Sequence, residues 1–104
     1  EADVMKKIKM PKQIISRYRS TYFSHIFGGD YCAGYYSYIW AAVLDADAFE
    51  AFKETGDVFN QNVAKAFRTN ILEKGGTADP MSLYVAFRGR EPKPEPLLKR
   101  RGLI

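Results

Sequence analysis

The chain's one histidine, His25, and one tryptophan, Trp40, flank a run in which Tyr31, Tyr35, Tyr36 and Tyr38 follow the pair Gly28 and Gly29. An imidazole and a set of phenols can donate hydrogen bonds near neutral pH, to a peptide backbone or to an oxygen on which negative charge develops. A solitary histidine is more often a structural residue held by a backbone carbonyl, so residue type alone favours that reading of His25 over a functional one. Tyr38 follows Tyr31 by two helical turns, and the two phenols would share a face if a helix began near Ala33. Tyr36 and Trp40 read as core, because aromatics at helical spacing usually pack. No His-Glu-x-x-His occurs, and one imidazole cannot assemble three ligands of the usual catalytic kind, so no metal site is expected within these residues. Nor do Gly28 and Gly29 form a phosphate loop, since no G-x-x-x-x-G-K-[ST] and no preceding strand accompany them.

Helices must position these groups. Residues 1–9 read as the end of a helix stopped by Pro11, which cannot continue the hydrogen-bond ladder, and residues 13–22 as a short helical turn carrying Arg17 and Arg19. The stretch 23–38 reads as a loop presenting His25 and Tyr31, its glycines taking positive φ cheaply at the turn. A proline-free run up to Gly56 predicts a helix over 34–55. Its first half, 35–44, is apolar almost all round, as in a helix buried on most faces. Asp45, Asp47, Glu50, Lys53 and Glu54 make its second half amphipathic, with Phe49 and Phe52 inward. Val63, Phe67 and Ile71 predict a helix over 60–74, with Asp57 or Asn60 as N-cap and a stop at Gly75 and Gly76. Asp79 followed by Pro80 opens a helix over 80–88 closed by Gly89. The proline-rich 91–96 reads as polyproline, followed by a last turn at about 96–101. The fold class is all-α, without repeat or strand alternation.

Composition narrows the function classes. Apolar residues at 46% and charged residues at 27% are those of a globular chain, and the 14% aromatic share points to packing against something larger or to a binding surface. The net charge of +4 comes from clusters near the two ends, Lys6, Lys7, Lys9 and Lys12, then Lys99, Arg100 and Arg101. Basic residues are not interleaved with the aromatics, which argues against a nucleic-acid partner. No apolar run is long enough to cross a membrane. Cys32, the only cysteine, excludes an internal disulfide and reads as a small buried hydrophobe. It fits a reducing compartment, so cytoplasmic residence is expected, with the periplasm still open. The opening Glu1, Ala2, Asp3, Val4 reads as a cut inside a helix, so the chain is expected to be a fragment.

Residues 23–40 follow the form F-S-H-I-(x)3-G/D-Y-x-A-G-Y-Y-x-Y-x-W. This segment resembles a conserved C-terminal segment of the thimet oligopeptidase and peptidyl-dipeptidase family of zinc metallopeptidases. The likeness extends to Arg17, Tyr18, Arg19 and Ser20, to 40–49, to Phe87, Arg88, Gly89, Arg90, Glu91 and Pro92, and to the closing Leu97, Leu98, Gly102 and Leu103. Asp30 and Cys32 depart from it, standing where glycine and alanine are common. The resemblance implies that residues 1–104 are the C-terminal helical portion of a larger, mostly helical catalytic domain. It implies zinc as cofactor in the parent protein, with ligands upstream of this segment, and an oligopeptide substrate. By the same resemblance His25, Tyr31, Tyr35 and Tyr38 bind substrate, His25 and Tyr38 are catalytic, Tyr38 by stabilising the tetrahedral intermediate, and Gly28 and Gly29 belong to a flexible cover over the bound peptide. The ten-residue step from His25 to Tyr35 resembles the bacterial peptidyl-dipeptidases, which release C-terminal dipeptides, more than the animal endopeptidases. An oligoendopeptidase of the same family is the alternative. From another class, a non-enzymatic module could dock a partner helix on the aromatic face 35–44. In either case the segment alone is expected to be inactive, and prone to self-association where the rest of the chain would cover it.

Overall fold

The computed structural model describes residues 1–104 as an all-helical chain with no strand. It divides into two compact units, Glu1–Tyr35 and Tyr36–Ile104. No helix is long and apolar enough to cross a membrane.

In the first unit, α1 (Ala2–Lys7) ends two residues before Lys9, whose φ of 56° turns the chain ahead of Pro11. The helical turn expected over 13–22 contracts to a single 3-10 turn at Ser20–Tyr22. His25 lies not in a loop but on a one-turn helix, α2 (Ser24–Phe27), closed by the Gly28 N–H donating to the Ser24 carbonyl at 2.7 Å. Neither Gly28 nor Gly29 takes positive φ. The left-handed residue of this turn is Ala33, at φ 55°, and the Gly34 N–H then donates to the Tyr31 carbonyl at 2.9 Å. Residues 34–36 still belong to this turn, so the long helix starts at Ser37, three residues later than expected.

That helix, α3 (Ser37–Lys53), opens the second unit and runs about 25 Å at the usual rise per residue. Its exit is tied by the Thr55 hydroxyl donating to the Phe52 carbonyl at 2.7 Å, before Gly56 reverses the chain at φ 74°. α4 (Gln61–Phe67) is capped by Asn60, whose side chain accepts from the N–H groups of Asn62 and Val63. The expected helix over 60–74 does not continue as one piece. It widens into a π turn at Arg68–Leu72, where the Glu73 N–H reaches the Arg68 carbonyl at 2.9 Å. Asn70 Nδ2 donates to the Ala66 carbonyl at 3.0 Å, taking the acceptor that its own backbone would use in a regular α turn.

α5 (Pro80–Arg88) follows the sequence closely: the Asp79 side chain accepts from the Ser82 N–H at 2.8 Å, Pro80 sits in the first turn, and Gly89 ends the helix at φ 76°. α6 (Glu95–Arg100) begins inside the proline-rich run, since Pro96 is compatible with a first helical turn. Within this unit α6 and α4 pack on α3, and α5 packs on the π turn.

The core is thin. Ala46, Tyr84 and Leu97 are its buried apolar residues, joined by the fully enclosed Asp47. Several expectations fail here. Tyr36 (69% exposed) and Trp40 (45% exposed) are surface residues in this chain, as is Phe49, and Cys32 is exposed with its thiol donating to the Gly29 carbonyl at 3.3 Å. Asp47 reverses its expected place, lying inside and not on the solvated face. For the helical residues the cause is that periodicity tells which residues share a face, not which face finds a neighbour.

Candidate functional site

The first unit gathers the predicted substrate-binding groups around His25. Its ring lies 5.7 Å from that of Tyr35, 6.3 Å from Tyr31, 5.8 Å from Tyr18 and 6.2 Å from Phe23, centroid to centroid. Phe23 stacks on Tyr18 at 4.8 Å and meets Tyr35 edge-on at 4.9 Å, and the Arg17 guanidinium covers Tyr18 at 5.2 Å. Local turns make this possible: α2 turns His25 back over Phe23, and the bend at Ala33 returns Tyr31 and Tyr35 to the imidazole. His25 Nδ1 is buried and makes no hydrogen bond. Buried polar atoms are normally paired, at a cost of about 1–3 kcal/mol when they are not, so packing holds the imidazole here without polar tethering at that atom. Tyr18 was missed by the motif reading. Its signal was available, since Tyr18, Phe23 and His25 are closely spaced aromatics ahead of the turn.

Two depressions adjoin this cluster within the unit. One, of about 620 Å³, is lined by Tyr22, Phe23, Ser24, Phe27 and Gly28. The other, of about 520 Å³, is lined by Met5, Ile8, Ile15, Tyr18, Phe23 and Tyr35. Both are mostly apolar with a few polar groups, the composition of a surface that receives side chains of a ligand. Gly28 and Gly29 border the cluster through α2.

Tyr38 belongs to the second unit, on the first turn of α3, and is half exposed. It and Tyr31 do not share a helix, so the face argued from their seven-residue step does not exist.

The second unit holds a polar constellation around Asp47, a carboxylate expected on the polar half of the long helix. Asp47 is 0% exposed. One carboxylate oxygen accepts from Tyr84 Oη at 2.7 Å and Arg90 Nη1 at 3.0 Å, and the other from Arg90 Nη2 at 2.8 Å. Arg88 Nε donates to the Asp47 carbonyl at 3.3 Å, while its other nitrogens form a two-point pair with Glu54 at 2.8 and 2.6 Å. Gly89 allows this convergence, because its left-handed φ turns the chain sharply between the two arginines. Burial alone would raise the Asp47 carboxyl, but the hydrogen bonds from Arg90 and Tyr84 and the charges of both arginines hold it below the ordinary carboxylate range. Burial, and then the bond to Asp47, push the Tyr84 phenol well above the ordinary tyrosine range. The hydrogen bond from Arg88 lowers Glu54, and Glu54 in turn raises Arg88. No proton moves easily in this network near neutral pH, so it holds structure and does not itself do acid-base chemistry.

The residues present do not fit a zinc ion. No group of three His, Cys, Asp or Glu side chains could hold a metal, and the buried Asp47 is already saturated by donors.

Comparison with known proteins points one way. Residues 1–103 match the model of Peptidase family M3. Oligopeptidase A of Haemophilus influenzae is 52% identical over 82 residues, covering 79% of this chain and 12% of that protein. Oligopeptidase A of Escherichia coli is 53% identical over 81 residues, 78% of this chain and 12% of that protein. The dipeptidyl carboxypeptidase of Salmonella typhimurium is 48% identical over 87 residues, 84% of this chain and 13% of that protein. The chain thus spans about an eighth of the length of the curated relatives it matches.

Proposed function

The chain belongs to peptidase family M3, and from that premise we propose that it is a C-terminal piece of the catalytic domain of a zinc-dependent peptidase that cleaves oligopeptides. The observation that carries this reading is the cluster of His25, Tyr31 and Tyr35 inside the matched motif. In it the imidazole and the two phenols hold the backbone of a bound peptide, and the adjoining apolar depressions take its side chains. Tyr38 donates its phenol hydrogen bond to the oxygen that becomes negative as the scissile carbonyl turns tetrahedral. A phenol suits that step because phenols in general stay protonated near neutral pH and donate without competing as nucleophiles. The zinc ligands lie outside these residues, so the 104-residue chain alone binds no stoichiometric zinc and hydrolyses nothing. Metal analysis finding a tightly held zinc ion in the purified chain would overturn that part.

Relatives named for two modes of cleavage match this chain. The higher identities to oligopeptidase A favour an oligopeptidase not restricted to terminal dipeptides. The second reading, release of C-terminal dipeptides, rests on the His25 to Tyr35 spacing. An oligopeptide with a free C-terminus and the same peptide amidated separate the two in the intact peptidase. Comparable cleavage of both supports the first reading, and dipeptides released only from the free peptide support the second.

Tyr38→Phe in the intact peptidase tests the site itself. Removing one oxyanion donor costs about 3 kcal/mol of barrier, or roughly a hundredfold in kcat, with KM little changed because the bond forms mainly in the transition state. A Tyr38→Phe enzyme with wild-type kcat would reduce Tyr38 to a packing residue.

A further inference from the structure

α3 carries Tyr38 at one end and Asp47 nine residues later, a separation of about 13 Å along the helix axis. This helix is held within its unit by packing against α6 and α4 and by a polar clamp. Its buried residues are only Ala46 and Asp47, and Asp47 is gripped on both carboxylate oxygens by Tyr84 and Arg90. Arg88 adds the Asp47 carbonyl and Glu54, just past the helix end, and Arg100 pairs with Asp45 at 2.7 Å. Toward its N-terminal end the same helix packs less closely within the unit. Tyr38, Ile39 and Trp40 are about half exposed, and a cavity of about 580 Å³ lies beside Trp40 and Leu44, bounded across by Phe67, Ile71 and Tyr84.

A rigid rod fixed near its middle converts a small tilt into a displacement at its end. Over about 13 Å, a tilt of about 4° moves Tyr38 by about 1 Å. A misplacement of that size at a reacting centre can cost on the order of a hundredfold in rate.

From this geometry we infer that Asp47, Tyr84, Arg88 and Arg90 are positioning residues that set the place of the Tyr38 phenol through α3. The inference rests on the proposed role of Tyr38. The clamp touches no substrate; it fixes the axial position and rotation of the helix that presents the donor. Arg90 matters through its planar fork, which meets both oxygens of Asp47 at once and so resists rotation, whereas a lysine offers one point charge on a flexible stem.

The test is a double-mutant cycle in the intact peptidase, with Arg90→Lys and Tyr84→Phe each made alone and together with Tyr38→Phe. Arg90→Lys should lower kcat on the order of tenfold while KM stays within about twofold, and in the Tyr38→Phe background the same change should have almost no further effect. A merely structural role would instead lower kcat by the same factor in both backgrounds, and that additive result overturns the inference. So does a folded Arg90→Lys or Tyr84→Phe enzyme with wild-type kcat. Should Arg90→Lys not fold, Tyr84→Phe, which removes one hydrogen bond and leaves the ring, carries the cycle. Failure of the underlying reading shows separately, as wild-type kcat in Tyr38→Phe alone with the clamp intact.

Discussion

Replacing Asp47 by asparagine changes the shape of the core hardly at all and its electrostatics completely. The side chain keeps its volume but loses its charge, and one of its two oxygens becomes an NH₂ that faces the donors of Arg90 and Tyr84. Arg90 is left partly enclosed without the anion that compensated it, while Arg88 keeps Glu54. Breaking a buried ion pair by removing one partner costs about 3–5 kcal/mol, a large fraction of the roughly 5–15 kcal/mol that holds an ordinary domain folded. For a unit of this size about 1 kcal/mol shifts Tm by some 4–8 °C, so the expected fall is at least about 12 °C. The effect depends on pH with a definite sign. Above about pH 4 the Asp47 carboxyl is ionised both folded and unfolded, and its contribution is fully present. As pH falls below that value the unfolded chain takes up a proton before the folded one, whose carboxyl titrates lower, so the contribution drains away in acid. Thermal unfolding of the chain and its Asp47→Asn variant, followed by circular dichroism from pH 7 down to pH 3, should show a gap that is flat at first and then narrows. A Tm change under about 4 °C at pH 7, or a gap that widens in acid, would refute the account of Asp47 as a compensated buried anion.

Asn60→Ala removes the acceptor for two N–H groups at the start of α4 and should cost about 1 kcal/mol in denaturant titration; no measurable loss would show that the cap is replaced by water. Gly89→Ala places a side chain at φ 76° and should cost about 1 kcal/mol or more, whereas Gly29→Ala, whose added Cβ meets only backbone oxygens at 3.6 and 3.7 Å, should stay within about 0.5 kcal/mol. Equal losses at the two glycines would sink the distinction drawn between them. The exposed Tyr36, Ile39, Trp40, Phe59 and Leu72 should make the chain bind a hydrophobe-sensing dye and self-associate, and sedimentation as a clean monomer without dye binding would contradict this.

Much of this protein was local, and local features are legible in a sequence. Asp79 with Pro80, and Gly89 after Arg88, specify α5 through its own capping chemistry, and Asn60 marks α4 because an amide on the residue just before a helix can reach the free N–H groups of its first turn. The family could be read for the same reason, since its motif is a contiguous string that keeps His25, Tyr31, Tyr35 and Tyr38 in fixed order. The tertiary structure alone decided what depends on residues far apart in the chain. Asp47 looks like any carboxylate on the polar half of α3 until Tyr84, Arg88 and Arg90, 37 to 43 positions later, close on it. The start of α3 was set more locally, by a turn through residues 31–36 that holds Ala33 at φ 55° although alanine has no preference for that conformation. Spacing along a chain determines which side chains can share a face; only packing determines whether that face meets water, an arginine or another helix.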